Sequence, residues 1–170
     1  YVYCVTEDSA GKLWFGADGG GLNLYDGTKF INFGEDKGLL AKTVFSIATD
    51  SKGNLWFSTN GNGIYSYDGK QFINYANKSG LRDDSPSQIE VGYKGQVIIP
   101  NKYGIDVFQN NNFHYYGTDD GLSFFEPNLN ASFIDKSGNY WIGTTNGVVK
   151  YNLSSDENFN ITPIVSINRL

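Results

Sequence analysis

The sequence is poor in the residues that most metal, redox and nucleic-acid chemistry requires. Among 170 residues there are one cysteine, one histidine and no methionine, and arginine occurs only at positions 82 and 169. A single thiol, Cys4, cannot close an internal disulfide, and its apolar surroundings predict a buried thiol. The net charge is −5 with no basic run, so nothing favours nucleic acid or an anionic membrane surface as a partner. Hydrophobic runs are short, and none approaches the roughly 20 apolar residues of a membrane span. No direct membrane contact is therefore expected of this segment, which reads as a piece of a longer protein. Apolar residues nowhere recur at helical spacing, and 21 glycines are too many for packed helices.

What the chain does contain is a phrase said four times, most clearly as DSKGNLWFSTNGNGIYSYDG from Asp50 to Gly69. Its counterparts are DSAGKLWFGADGGGLNLYDG from Asp8, the weaker GYKGQVIIPNKYGIDVFQN from Gly92, and DKSGNYWIGTTNGVVKYN from Asp135. The anchors Trp14, Trp56, Ile98 and Trp141 recur at intervals of 42, 42 and 43 residues. A period of about 40 to 50 residues marks a propeller or a solenoid.

Periodicity within the unit decides between those two. In the second unit, strands are predicted at Val44–Thr49, Asn54–Thr59, Ile64–Tyr67 and Gln71–Tyr75. They are separated by a turn at Asp50–Gly53, a glycine turn at Gly61–Gly63, and the hairpin dipeptide Asp68–Gly69. Four antiparallel strands make one propeller blade. Twelve Phe, twelve Tyr and three Trp suit sheet faces stacked on one another. The expected fold is thus all-β: a β-propeller segment over 1–160, with blades at about 1–42, 43–84, 85–127 and 128–160. Residues 161–170 read as a departure from the propeller, a linker or the first strand of a following domain. The third unit is the most degenerate, with Ile98 for tryptophan and Pro100 for glycine or serine. The fourth begins oddly, with the insertion SFFEPNLNAS after Leu122.

Each catalytic or metal reading of these motifs has a plainer rival. A calcium loop needs six to eight oxygens, but each Asp-x-x-Gly turn offers one carboxylate and reads as a structural turn. The tryptophans sit mid-strand at a fixed repeat position, as blade-packing residues do. The turns resemble the aspartate boxes of sialidases, yet a sialidase clamps its substrate carboxylate with three arginines, and only Arg82 and Arg169 exist. Asp83, Asp84, Asp119, Asp120 and Glu126 could supply a glycosidase pair, but nothing marks any two of them. A lyase of the streptogramin-inactivating type would need a histidine base, and His114 falls on an outer strand. The segment is expected to be non-catalytic, with no cofactor and no metal.

The Asp, Gly, Asn, Leu, Trp, Gly, Thr, Gly, Tyr-Asp pattern resembles the two-component regulator propeller repeat. Asp50, Gly53, Asn54, Leu55, Trp56, Thr59, Gly63, Tyr67 and Asp68 match it, as do Asp8, Gly11, Leu13, Trp14, Gly16, Gly21, Tyr25 and Asp26. In the fourth unit Asp135, Gly138, Asn139, Trp141, Gly143, Thr144, Gly147 and Tyr151 match, while Ser58 and the whole third unit depart. The closing TPIVSINRL resembles the start of the triple-tyrosine domain that follows such propellers. The resemblance implies the periplasmic or extracellular sensor part of a membrane-anchored histidine kinase or hybrid kinase. It also implies a small-molecule ligand, often a carbohydrate fragment. Alternatives are a sensor attached to a diguanylate cyclase and a scaffold for protein partners.

In a four-stranded blade the loops between strands two and three emerge on the same face as the loops between blades. Those are the variable loops here, and variation over a constant scaffold is how a binding surface is built. On that face Arg82, Asp84, Asn101, Lys102, Tyr103 and Phe124 add charge or an aromatic ring where the repeat needs neither. They are the candidate ligand-binding residues. If four blades leave the ring open, two apolar blade faces are left without neighbours. Self-association of the fragment, two arcs completing an eight-blade ring, is then the expected consequence.

Overall fold

The computed structural model describes residues 1–122, 126–152 and 166–168. Four four-stranded antiparallel sheets follow one another along the chain, each in the simple order of its strands. Blade 1 comprises β1 (Val2–Glu7), β2 (Leu13–Ala17), β3 (Gly21–Tyr25) and β4 (Phe30–Phe33). Blade 2 comprises β5 (Val44–Thr49), β6 (Leu55–Thr59), β7 (Ile64–Tyr67) and β8 (Phe72–Tyr75). Blade 3 is β9 (Glu90–Val91), β10 (Val97–Asn101), β11 (Gly104–Gln109) and β12 (Asn112–Tyr116). Blade 4 is β13 (Pro127–Ile134), β14 (Asn139–Thr144), β15 (Gly147–Asn152) and β16 (Ser166–Asn168). The fold is a four-bladed β-propeller segment.

The last strand corrects one expectation. Residues 166–168 do not leave the propeller: β16 pairs antiparallel with β15, Val149 opposite Ile167, and completes the fourth blade. An outer strand that ends at β15 leaves a row of backbone donors and acceptors unpaired, and the next extended segment satisfies them. Residues 161–165, 169 and 170 lie outside the described residues.

In blades 1, 2 and 4 a turn aspartate closes the hairpin between the first two strands. Asp50 Oδ1 accepts from the backbone N–H of Lys52 and Asn54, and Oδ2 accepts from Asn54 Nδ2 and, at 3.1 Å, from the Trp56 indole. Asp8 receives Trp14 Nε1 at 2.9 Å and Asp135 receives Trp141 Nε1 at 2.8 Å in the same way. Partial burial works against ionisation of Asp8 and Asp50, but these donors outweigh it and hold both carboxyls below their ordinary range. The tryptophan is thus bound at its nitrogen by its own blade while its rings pack on the next one. Trp14 lies 5.8 Å from Tyr67 of blade 2, and Trp56 lies 5.6 Å from Phe108 of blade 3.

Three apolar clusters cement the arc. Trp14, Leu22 and Phe33 pack with Leu55, Phe57 and Tyr65 between blades 1 and 2. Trp56, Ile64, Ile99 and Phe108 join blades 2 and 3, and Ile98, Val107, Tyr140 and Tyr151 join blades 3 and 4. The Gly-Leu echo in the connecting loops has a packing reason: Leu39, Leu81 and Leu122 are each buried to within 2% at one of these three seams. The outward faces of the end blades stay open, with Val5 60%, Phe30 68%, Phe133 66% and Trp141 36% exposed.

Blade 4 opens with a bulge in β13, where the pairing with β14 slips between Pro127 and Ser132. Its Asn130, at φ 53°, reaches across the propeller axis and donates from Nδ2 to the carbonyls of Tyr3 (2.9 Å) and Phe45 (3.0 Å). The bulge therefore ties blade 4 to the inner strands of blades 1 and 2.

Candidate functional site

On the loop face, a cleft of about 490 Å³ opens at the seam of blades 3 and 4. Lys102 and Tyr103 enter it from the β10–β11 loop, Tyr115 from β12, Thr118 and Leu122 from the inter-blade loop, and Glu126 and Asn146 from blade 4. The cleft arises where the third unit departs from the repeat. Asn32 of blade 1 and Asn74 of blade 2 each donate to a carbonyl of the β2–β3-type loop, those of Gly20 and Asn62. At the matching position blade 3 has Tyr115, whose hydroxyl donates to the Tyr103 carbonyl. A ring in place of an amide raises a wall there.

Three of the six sequence-predicted residues converge on this wall. The Arg82 guanidinium stacks over the Tyr115 ring, 3.2 Å from its centroid, a strong cation–π geometry. Lys102 reaches 3.9 Å from Asp83 and lies 5.1 Å over the Tyr103 ring, which is 52% exposed. The other described candidates serve the scaffold. Asp84 accepts from the backbone and side chain of Asn77 at 2.8 Å each, clasping the loop between blades 2 and 3. Asn101 is 1% exposed, donates to Asp106 Oδ2 and accepts from the Tyr103 backbone N–H, which shapes the loop but offers no free group. Phe124 lies outside the described residues.

Beneath the wall sits a carboxylate that motif reasoning missed. Asp106 occupies the repeat position of Asn23 and Tyr65 on β11 and is 1% exposed. Its Oδ2 accepts from the Arg82 N–H at 3.1 Å and from Asn101, while Oδ1 has no partner. Burial, with the Asp83 charge adding to it, outweighs the help of Arg82 and Asn101 and pushes its pKa up to about 6. Tyr115, Thr118, Glu126 and Asn146 were also missed. The one available signal was that Tyr115 breaks the Asn32, Asn74 pattern in the fourth strand. His114 stands beside it on β12, the outermost strand of its blade.

The profile of the two-component regulator propeller family matches residues 1–19 and 38–61, the opening hairpins of blades 1 and 2. Over those residues the chain matches the two-component regulator propeller repeat. No curated protein matches its sequence. Among solved structures, the extracellular domain assigned to a hybrid two-component system of B. thetaiotaomicron superposes with a TM-score of 0.78 at 24% identity. That match covers 98% of this chain and 24% of the other. A second such domain from the same organism gives 0.63 at 23% identity, covering 99% and 28%. Virginiamycin B lyase from Staphylococcus aureus gives 0.73 at 16% identity, covering 99% and 55%. At these identities the likeness is one of fold. The chain spans about a quarter of the length of these two extracellular domains.

Proposed function

We propose that this regulator-propeller segment belongs to the ligand-sensing, extracytoplasmic part of a membrane-anchored two-component sensor, a hybrid histidine kinase by its structural likeness. In this reading the segment binds and does not turn over its ligand, and the cleft between blades 3 and 4 receives a small polar molecule such as a carbohydrate fragment. One observation carries the assignment of the site. The cleft opens where blade 3 abandons the repeat, lined by Lys102 and by the rings of Tyr103 and Tyr115, with Arg82 stacked on the Tyr115 ring. An exposed ring beside charges and amides holds a polyhydroxylated ligand by stacking and hydrogen bonding. The repeats themselves, and the likeness to extracellular domains of hybrid two-component systems, support the sensor role.

A thermal-shift screen of mono- and oligosaccharides, followed by calorimetric titration of any hit, tests the reading. The expected result is saturable binding that weakens about tenfold or more in Tyr103→Ala and Lys102→Ala, with melting temperatures unchanged. A ligand that binds both variants as it binds the parent would move the site elsewhere, and conversion of the ligand during titration would make the segment an enzyme.

A further inference from the structure

The opposite, hairpin face carries a second cleft, between blades 2 and 3, and its homologue between blades 1 and 2 serves as an internal control. The blade 1–2 groove measures about 190 Å³ and is walled by Trp14, Leu55, Tyr67 and the Asp68–Gly69 turn. The blade 2–3 groove, at the same place in the repeat, measures about 620 Å³. Two departures widen it. Val97 stands where the first groove has Leu55. The β11–β12 hairpin is a two-residue turn at Asn110 and Asn111, at φ 51° and 64°, where blades 1 and 2 have longer turns through Asp26–Gly27 and Asp68–Gly69. Left-handed values at both central residues are the signature of a type I′ turn, which asparagine tolerates.

The chemistry of the wall is specific. Tyr93 stands where the first two turns have Ser9 and Ser51; its ring is 72% exposed, yet its hydroxyl donates to the Asp135 carbonyl of blade 4 at 3.2 Å. The ring is thus presented to solvent and held from one end, which lowers the entropy lost when something stacks on it. Facing it are Gln109, Asn110 and Asn111, whose side chains form no hydrogen bonds among the described residues, and the floor is Trp56. The Asp50 carboxylate at the edge is already saturated by four donors. Lys52 and Lys94 stand at the rim.

From this arrangement we infer a second binding site, for a neutral saccharide, whose pyranose ring stacks on Tyr93 while its hydroxyls bond the amides of Gln109, Asn110 and Asn111. A sugar ring offers an apolar face of C–H groups and an edge of donors and acceptors, the complement of one held aromatic ring and three neutral amides. The inference rests on the blade 2–3 groove alone and not on the cleft between blades 3 and 4.

Calorimetric titration of the full chain with cellotetraose, xylotetraose and a β-1,4-galactotetraose, and with tetragalacturonate as the charged arm, tests it. At least one neutral tetrasaccharide is expected to saturate below about 1 mM. Tyr93→Ala should weaken it by about tenfold, the loss of one stacking contact. Asn111→Gly supplies the folding control, because glycine accepts the left-handed turn while removing the amide, so binding falls with no loss of melting temperature. Lys29→Ala, an exposed position of blade 1 outside both clefts, should bind as the parent does. The site is overturned if no neutral tetrasaccharide binds, if only tetragalacturonate binds, if Tyr93→Ala binds normally, or if binding tracks Tyr103 instead.

Discussion

At the scale of single residues, the repeated tryptophan shows how one position does different work in different blades. Trp56 is 9% exposed between Tyr75 and Phe108, whereas Trp141, its counterpart in the last blade, is 36% exposed with Lys150 5.4 Å over its ring. Trp56→Ala should therefore destabilise the fold by about 3–5 kcal/mol, as a buried aromatic truncation does. Trp141→Ala should cost about 1–2 kcal/mol, because the surface it would bury is largely open. Thermal melting checks both, and a Trp56 variant that melts within about a degree or two of the parent would refute the packing role.

Titration is also a single-residue property. The folded chain holds the Asp106 proton more tightly than the unfolded chain does, with a pKa near 6 against an ordinary 3.8, and Glu90 behaves likewise at about 7. Both therefore add stability as pH falls from about 7 towards 5, and that stability is lost as pH rises through 6 to 7. The turn carboxylates have the opposite sign. Asp8 and Asp50 are held low, and Asp26, bonded by Thr28 and Lys29, titrates at about 2, so their contribution is lost as pH drops below about 4. The melting temperature should peak between about pH 4 and 5. Asp106→Asn should flatten the arm between about pH 4 and 6, which is of the order of 1–3 kcal/mol.

At the scale of the element, each blade depends on the bend that returns its second strand into its third. Gly63 sits in that bend at φ 72°, and a Cβ there would lie 2.1 Å from the Tyr75 carbonyl; Gly104 of blade 3 meets the Tyr116 carbonyl at the same distance. Gly61 has a similar φ of 79° but open space around it. Gly63→Ala should therefore cost about 3 kcal/mol or more, because backbone must move, and Gly61→Ala about 1 kcal/mol from the dihedral alone. Urea midpoints of the two variants separate close approach from conformational strain, and equal midpoints would show that the contact is relieved without consequence.

At the scale of the whole molecule, the arc has two different ends. Blade 4 presents Trp141 and Phe133, whose blade 2 counterparts Trp56 and Ala48 are buried, and blade 1 presents Val5 and Phe30, whose counterparts Ile47 and Phe72 are half-buried against neighbours. One blade face spans roughly 320 Å² in projection, so two exposed faces reach the size of the largest apolar patch an ordinary monomer carries. The isolated chain is accordingly expected to associate end to end, most simply as two arcs forming an eight-blade ring. Light scattering after size-exclusion chromatography reads this out; a monomer mass independent of concentration, with no dye-accessible apolar surface, would contradict it.

The repeat period, the strand bounds of blade 2 to within a residue and the role of the turn aspartate were legible in the sequence. They depend on local chemistry: alternation, turn residues and a tryptophan six positions after its acceptor. That the loops between strands two and three share a side with the inter-blade loops was legible for the same reason, since blade topology dictates it. Only the tertiary structure decided which polar residues on that side are free. Asn101 and Asp84 look identical to binding residues until their partners, Asp106 and Asn77, are seen to consume them. It alone also placed β16 in the fourth blade and Asn130 across the axis. Those contacts join residues far apart in the chain, and no local pattern encodes a hydrogen bond between positions 3 and 130.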